Sequence, residues 1–369
     1  MPYSFSMGKQ EPEGAKIAVL RDSLLQWYVE HRRDLPWRRR TDPYAIWVSE
    51  VMLLQTRVAV VVDRYREFMA RFPTLIALAL ASEDEVLALW SGLGYYRRAR
   101  LLHRAAQFVA ERLGGNLPAS AAQLRALPGI GAYTAAAIAS IAYGEPVAVV
   151  DGNVERVICR LAGWAAGGRN GEGARLRRKI EQRAGQWLDP ARSGDWNQAM
   201  MELGATLCTP RNPQCLVCPL AACCRTRGEH ETAARPPMVS RTVGYALVVR
   251  APAPGPGGRV VLLEQRPAEQ PVMPGLWELP ALIDAETPPE ELRMTLRHAI
   301  LQVNYFVRIR TLHEDRVEAL TAKSGQRRWT PLDEAARLPL TGLARKVLMR
   351  AHLLPAPRIE TSAPAQDAD

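Results

Sequence analysis

Apolar residues recur at three- and four-residue intervals along the first half of the chain, as in Leu20, Leu24, Trp27 and Tyr28, in Val86, Leu89 and Trp90, and in Leu101, Leu102, Ala105 and Phe108. That period lines one side of a helix, so residues 17–196 are predicted as a bundle of short helices broken at Pro36, Pro43, Pro73, Gly114-Gly115, Pro118 and Pro128. No convincing strand run falls in this stretch. A polar segment, residues 226–241 with Pro236-Pro237, reads as a linker. Beyond it the texture changes: residues 243–250 and 259–264 are short β-branched runs separated by the turn-rich 252–258, and 305–309 and 328–329 look like further strands. A closing helix is expected over 341–352. The layout is therefore a flexible N-terminus (1–16), an all-α domain (17–225), the linker (226–241), a small α+β domain (242–354) and a disordered tail (355–369), with no internal repeat.

At 369 residues the chain has room for two cores. No apolar stretch is long enough to span a bilayer, and the first fourteen residues lack the apolar core of a signal peptide, so a chain that stays in the cytoplasm is expected. A net charge of +10 favours a polyanionic partner. Arginine carries nearly all of it, because Lys9, Lys16, Lys179, Lys323 and Lys346 are the only lysines. Four of the six cysteines, Cys208, Cys215, Cys218 and Cys224, are spaced C-x6-C-x2-C-x5-C, which favours metal ligation in a reducing compartment over disulfides. Spacing alone leaves both zinc and an iron–sulfur centre open. Cys159 and Cys223 read as idle thiols.

Three further features carry chemistry. The turn Leu127-Pro128-Gly129-Ile130-Gly131, followed by the helical Ala132-Tyr133-Thr134-Ala135, offers free backbone N–H groups at a helix start, as a phosphate grip or as plain connection. Asp151, ahead of Gly152-Asn153-Val154, is either a helix N-cap or a carboxylate placed to stabilise developing positive charge. Glu50 lies within Ile46-Trp47-Val48-Ser49-Glu50-Val51-Met52-Leu53-Leu54 with no cation three or four residues away. Burial of such an acid raises its pKa and suits it to general-acid work near neutral pH.

The hairpin, Val149-Val150-Asp151-Gly152-Asn153-Val154 and the trailing cysteines together resemble the helix-hairpin-helix DNA glycosylase superfamily, and within it the adenine DNA glycosylase (MutY) family. Further matches are Leu35-Pro36-Trp37-Arg38, Trp47-Val48-Ser49-Glu50-Val51-Met52, Gly92-Leu93-Gly94-Tyr95-Tyr96 and Met201-Glu202-Leu203-Gly204-Ala205, so the likeness is dense from about Leu20 to Arg225. It implies a [4Fe-4S] cluster on Cys208, Cys215, Cys218 and Cys224. It implies that Glu50 protonates adenine N7, that Asp151 stabilises the sugar cation, and that Asn153 supports the same site. Tyr133 stands where glycosylases that also cut the strand carry a lysine, and the chain has none between Lys16 and Lys179, which leaves hydrolysis alone. Gln55 and Tyr95 resemble residues that wedge into the base stack, Gly129 and Gly131 hold backbone phosphate, and Arg211 reaches another phosphate. Leu35, Trp37, Arg38 and Gln198 are implied as the adenine pocket. The family usually has a second glutamine before Gln55, where this chain has Leu54.

In the last third, Leu262-Leu263-Glu264-Gln265-Arg266-Pro267 and Pro274-Gly275-Leu276-Trp277-Glu278-Leu279-Pro280 resemble the family's Nudix-like domain, which reads 8-oxoguanine. Glu290-Glu291 is present without the Arg-Glu-x-x-Glu-Glu arrangement of a working Nudix hydrolase, implying recognition without hydrolysis. Ile300-Leu301-Gln302 replaces the usual Phe-Ser-His, and those side chains lack the same hydroxyl and imidazole bonds. The expectation is a monomeric, monofunctional glycosylase acting on double-stranded DNA with adenine opposite 8-oxoguanine or guanine, in the bacterial nucleoid. The rivals are an endonuclease III-type lyase on pyrimidine lesions, a non-catalytic iron–sulfur DNA-binding or redox-sensing protein, and a diphosphate hydrolase.

Overall fold

The computed structural model describes residues 13–165, 172–230, 237–250, 258–286, 288–300 and 302–355. The expected N-terminal arm, much of the linker, the 252–258 turn, Leu301 and the tail therefore lie largely outside the described residues. The described part of 13–230 consists of helices and tight 3-10 turns, without a strand. The helices are α1 (Glu13–His31), α2 (Pro43–Leu53), α3 (Val58–Arg71), α4 (Leu75–Ala79), α5 (Glu83–Leu89), α6 (Arg97–Arg112), α7 (Ala121–Leu124), α8 (Ala132–Tyr143), α9 (Gly152–Ala162), α10 (Glu172–Trp187) and α11 (Ser193–Thr206).

Local chemistry sets their ends. Asp42 accepts hydrogen bonds from the Tyr44 and Ala45 amides, and Pro43 occupies the first turn, so α2 starts where the sequence breaks. Ser82 and Glu85 form a reciprocal capping box on α5. Left-handed glycines stop α8 at Gly144 and α9 at Gly163. The chain divides into two compact units, one of Met1–Leu80 with Leu101–Arg235, the other of Ala81–Arg100 with Pro236–Asp369. In the first, Leu20, Leu24 and Tyr28 of α1 pack with Val154, Val157 and Ile158 of α9 and with Trp196, Ala199 and Leu203 of α11. The helical period of α1 thus buries the face it predicts, whereas Phe108 of α6 remains 40% exposed.

The second unit adds strands β1 (Val239–Leu247), β2 (Val249–Arg250), β3 (Val260–Gln265), β4 (Trp277–Glu278), β5 (Ala281–Leu282), β6 (Leu292–Ile300), β7 (Val303–Thr311), β8 (Thr321–Ala322) and β9 (Arg327–Pro331), with helices α12 (Val317–Leu320), α13 (Leu332–Ala335) and α14 (Gly342–Arg350). One sheet has the order β6-β7-β1-β5-β8, with β1 and β7 parallel; in the other, β3 lies between β2 and β4 and also pairs with β9. Val261 and Leu263, Val307 and Ile309, and Leu343, Val347 and Leu348 of α14 share one core. The expected run 243–250 is two strands, and β4, β5, β6 and β8 were not anticipated. Strand β6 reads Leu292-Arg-Met-Thr-Leu-Arg-His-Ala-Ile300; only Leu296 is fully buried, so its hydrophobic alternation is faint.

Candidate active site

Every residue from Tyr44 to Met52 of α2 is buried, which carries Glu50 into the interior with only 5% of its surface exposed. Tyr133, in the first turn of α8, donates its hydroxyl to Glu50 Oε2 at 2.6 Å. Burial pushes the Glu50 carboxyl up to about 7; the Tyr133 hydrogen bond and the Arg38 charge oppose this, and the Asp151 charge adds to it. Burial, reinforced by Glu50, also raises the Tyr133 phenol well above its usual range, so it stays a hydrogen-bond donor.

Asp151 is the N-cap of α9. Its Oδ1 accepts from the Val154 amide at 2.7 Å and its Oδ2 from Asn153 Nδ2 at 3.0 Å. Capping and a place at the cleft thus coexist in one side chain. The strand-like approach to Asp151 is pinned by buried Asn197, which accepts from the Val149 amide and donates to Val147 O and Ser140 Oγ. Asn153 Oδ1 accepts from Arg156, which also donates to Cys208 O at 2.7 Å. Gly204 of α11 passes so close that a Cβ there would sit 2.6 Å from Asn153 Cβ.

Glu50, Tyr133, Asp151 and Asn153 line one cleft of about 170 Å3. Leu35, Trp37, Arg38 and Gln198 line the same cleft, as do Arg33, Met201 and Glu202. Glu202 is 1% exposed and was not singled out from sequence, nor was Arg33. It takes two hydrogen bonds from the Arg33 side chain, each 2.7 Å, and one from Arg38 at 2.9 Å. Burial alone would raise its pKa, but the two guanidiniums outweigh that and hold it down to about 2. The signal that marks Glu50 was there too: an acid in Ala199-Met200-Met201-Glu202-Leu203 with no cation three or four positions away.

Other candidates lie outside this cleft. Gly129, with φ of 73°, and Gly131 are exposed on the turn between α7 and α8, and a Cβ on Gly129 would meet Leu101 Cβ at 2.6 Å. Gln55 and Tyr95 are both exposed and both left-handed, with φ of 60° and 47°, a conformation that non-glycine residues adopt at a cost. Arg211 is exposed in the loop between Cys208 and Cys215.

Cys208, Cys215, Cys218 and Cys224 line a separate small void of about 30 Å3 walled by Val157, Leu161, Leu203 and Leu220, and none is in a disulfide. Cys223 does not line it. Burial, opposed by a backbone hydrogen bond at Leu220 and reinforced by the three neighbouring thiols, pushes the Cys218 thiol up to about 11. Among the described residues no three His, Cys, Asp or Glu side chains close on one ion-sized point. Four thiol donors around one void suit either a four-thiolate zinc ion or an iron–sulfur centre. Arg160 fastens the loop to α9 by donating to Thr209 O at 2.7 Å and Pro210 O at 3.0 Å.

In the second unit three acids, Glu264, Glu278 and Glu291, are committed to local partners. Glu264 accepts from the Ser324 and Gly325 amides and from Arg327, Glu278 pairs with Arg266, and Glu291 pairs with Arg310 and Arg316. Among the described residues no helix of the chain is long and apolar enough to cross a membrane.

Residues 48–182 match the HhH-GPD superfamily of base excision DNA repair proteins. The chain is 50% identical over 222 residues to the human adenine DNA glycosylase, which covers 58% of this chain and 40% of that protein. It is 43% identical over 201 residues to the adenine DNA glycosylase of Mycolicibacterium smegmatis, 54% of this chain and 67% of that one. A solved thermostable thymine-DNA glycosylase superposes with a TM-score of 0.52 at 28% identity, over 58% of this chain and 97% of the other. The chain spans about two fifths of the human relative's length. The helical scaffold and these matches together place the chain in the adenine DNA glycosylase family of the HhH-GPD superfamily.

Proposed function

We propose that the protein is a monofunctional DNA glycosylase that takes adenine out of a mispair with 8-oxoguanine or guanine and hydrolyses its N-glycosidic bond. The observation that carries this is a buried carboxyl that titrates near neutrality, Glu50, lining the same cleft as a second carboxylate, Asp151. Protonated Glu50 donates its proton to N7 of the extruded adenine, and the C1′–N9 bonding electrons leave with the base. The Asp151 carboxylate stabilises the positive charge left on the sugar. Water then adds at C1′ and its proton returns to Glu50. Asn153 orients Asp151 through their 3.0 Å hydrogen bond. Among the described residues the cleft is lined by tyrosine and arginine and by no lysine, which supports hydrolysis over imine formation with the sugar.

The four cysteines would hold a [4Fe-4S] cluster, which supplies rigidity and charge to the loop that carries Arg211; Gly129 and Gly131 would grip backbone phosphate with their exposed amides. The β-rich unit, whose Glu264, Glu278 and Glu291 are engaged in ion pairs, would read the base opposite adenine and hydrolyse nothing. The test is a duplex containing adenine opposite 8-oxoguanine, assayed for free adenine. Release by wild type, with rates ~10^2- to 10^4-fold lower for Glu50→Gln, supports the reading. Strand scission without alkali or heat would restore the lyase instead, and absence of base release would leave only DNA binding. Iron, sulfide and zinc content of the purified protein tests the cluster.

A further inference from the structure

Residues 91–96 form a loop held in an unusual shape. Gly92, Gly94 and Tyr95 are all left-handed, with φ of 98°, 69° and 47°, and the Tyr95 ring is 48% exposed. From within, Arg98 donates to Leu93 O at 3.0 Å and Gly94 O at 3.2 Å, while its guanidinium lies 5.5 Å from the ring centroids of both Trp90 and Tyr95. Trp90 Nε1 donates to Gly94 O at 3.0 Å. From the distant end of the chain, Arg345 of α14 donates through Nε to Ser91 Oγ at 2.7 Å. Tyr96 donates its buried hydroxyl to Leu340 O at 3.0 Å, and Arg100 donates to Pro274 O at 2.8 Å.

Strain in the backbone persists only when its surroundings over-determine it. Here the surroundings include the segment that follows the two sheets. An exposed aromatic ring backed by a guanidinium, beside exposed Arg97, suits a base stack flanked by phosphates, because every base offers a π-face. We propose that Arg345 is a positioning residue for DNA engagement: acting through Ser91, it holds the 91–96 loop so that Tyr95 is presented to the duplex. The α14 segment thereby contributes to adenine excision without touching the base. This rests on the glycosylase reading above.

Ser91→Ala is the cleanest probe, since it leaves the Arg345 bonds to Ala336 O and Leu338 O in place. The probe ligand is a duplex with a tetrahydrofuran abasic site opposite 8-oxoguanine, which binds without being cut. Ser91→Ala and Arg345→Ala are each expected to weaken binding about 3- to 10-fold, the loss of one hydrogen bond. The rate of adenine release at saturating enzyme should change less than about twofold, because the effect is on binding. In a Tyr95→Ala background both substitutions should lose their effect on Kd. Unchanged binding by Ser91→Ala, or effects that add to Tyr95→Ala, would overturn the proposal. If wild type binds the duplex but releases no adenine, the glycosylase reading fails while this cycle still reads the loop.

Discussion

Helices α2 and α11 each carry one glutamate into the same cleft, and the pKa values of the two acids move in opposite directions. Glu50 and Glu202 are 5% and 1% exposed, and both sit in apolar runs. Glu50 has one neutral donor, Tyr133, and rises to about 7; Glu202 has two guanidiniums and falls to about 2. Burial alone therefore does not decide what a buried carboxyl does; the charge of its hydrogen-bond donors does. One acid can release a proton at neutral pH. The other fixes Arg33 and Arg38 in the wall of the cleft.

The widest separation of the two should come from exchanging each for its amide. Glu50→Gln is expected to abolish most adenine release, as above, while leaving the fold intact or steadier, because it removes a buried ionisable group. Glu202→Gln should behave differently: it leaves two guanidiniums short of a counter-ion, at a cost of about 3–5 kcal/mol, read by urea denaturation at pH 7. Wild-type stability after Glu202→Gln would break the comparison.

The next effect is in pH. The folded Glu50 pKa lies above its ordinary value of 4.5, so folding takes up a proton between 4.5 and about 7, and this group's contribution to stability declines as pH rises through that window. Glu202 is depressed, so its stabilisation is present above 4.5 and is lost as pH falls towards about 2. Glu50→Gln should thus raise Tm more at pH 8 than at pH 5, and the deficit of Glu202→Gln should shrink below pH 4.5. The same Tm difference at both pH values for Glu50→Gln would mean that Glu50 does not titrate in between.

A smaller shift sharpens the picture. Tyr133 lowers the Glu50 pKa through its hydrogen bond, so Tyr133→Phe should move the alkaline limb of the excision profile to higher pH, by roughly half to one pH unit. Movement to lower pH would show that Tyr133 favours the protonated form.

Much of the cleft was legible because its signals are local. An unpaired acid in an apolar run and an Asp-Gly-Asn ahead of a helix each declare their geometry within a few residues. The pairing of Arg33 with Glu202 is not legible in this way because it spans 169 positions, although Glu202 carries the same local mark as Glu50. The bond between Ser91 and Arg345 spans 254 positions, and nothing in the helical period of α5 announces it. Strand β6 hid for a different reason, since most of its side chains stay at least partly in contact with solvent and leave little alternation to read.

The close pass of Gly204 against Asn153 has an evolutionary corollary. Even alanine there would have to force α9 away from α11, tilting the end of α9 that Asp151 caps. A single-nucleotide change to any larger residue at this codon would therefore shift the end of α9 that carries Asp151 and Asn153 while leaving every side chain that lines the cleft chemically intact.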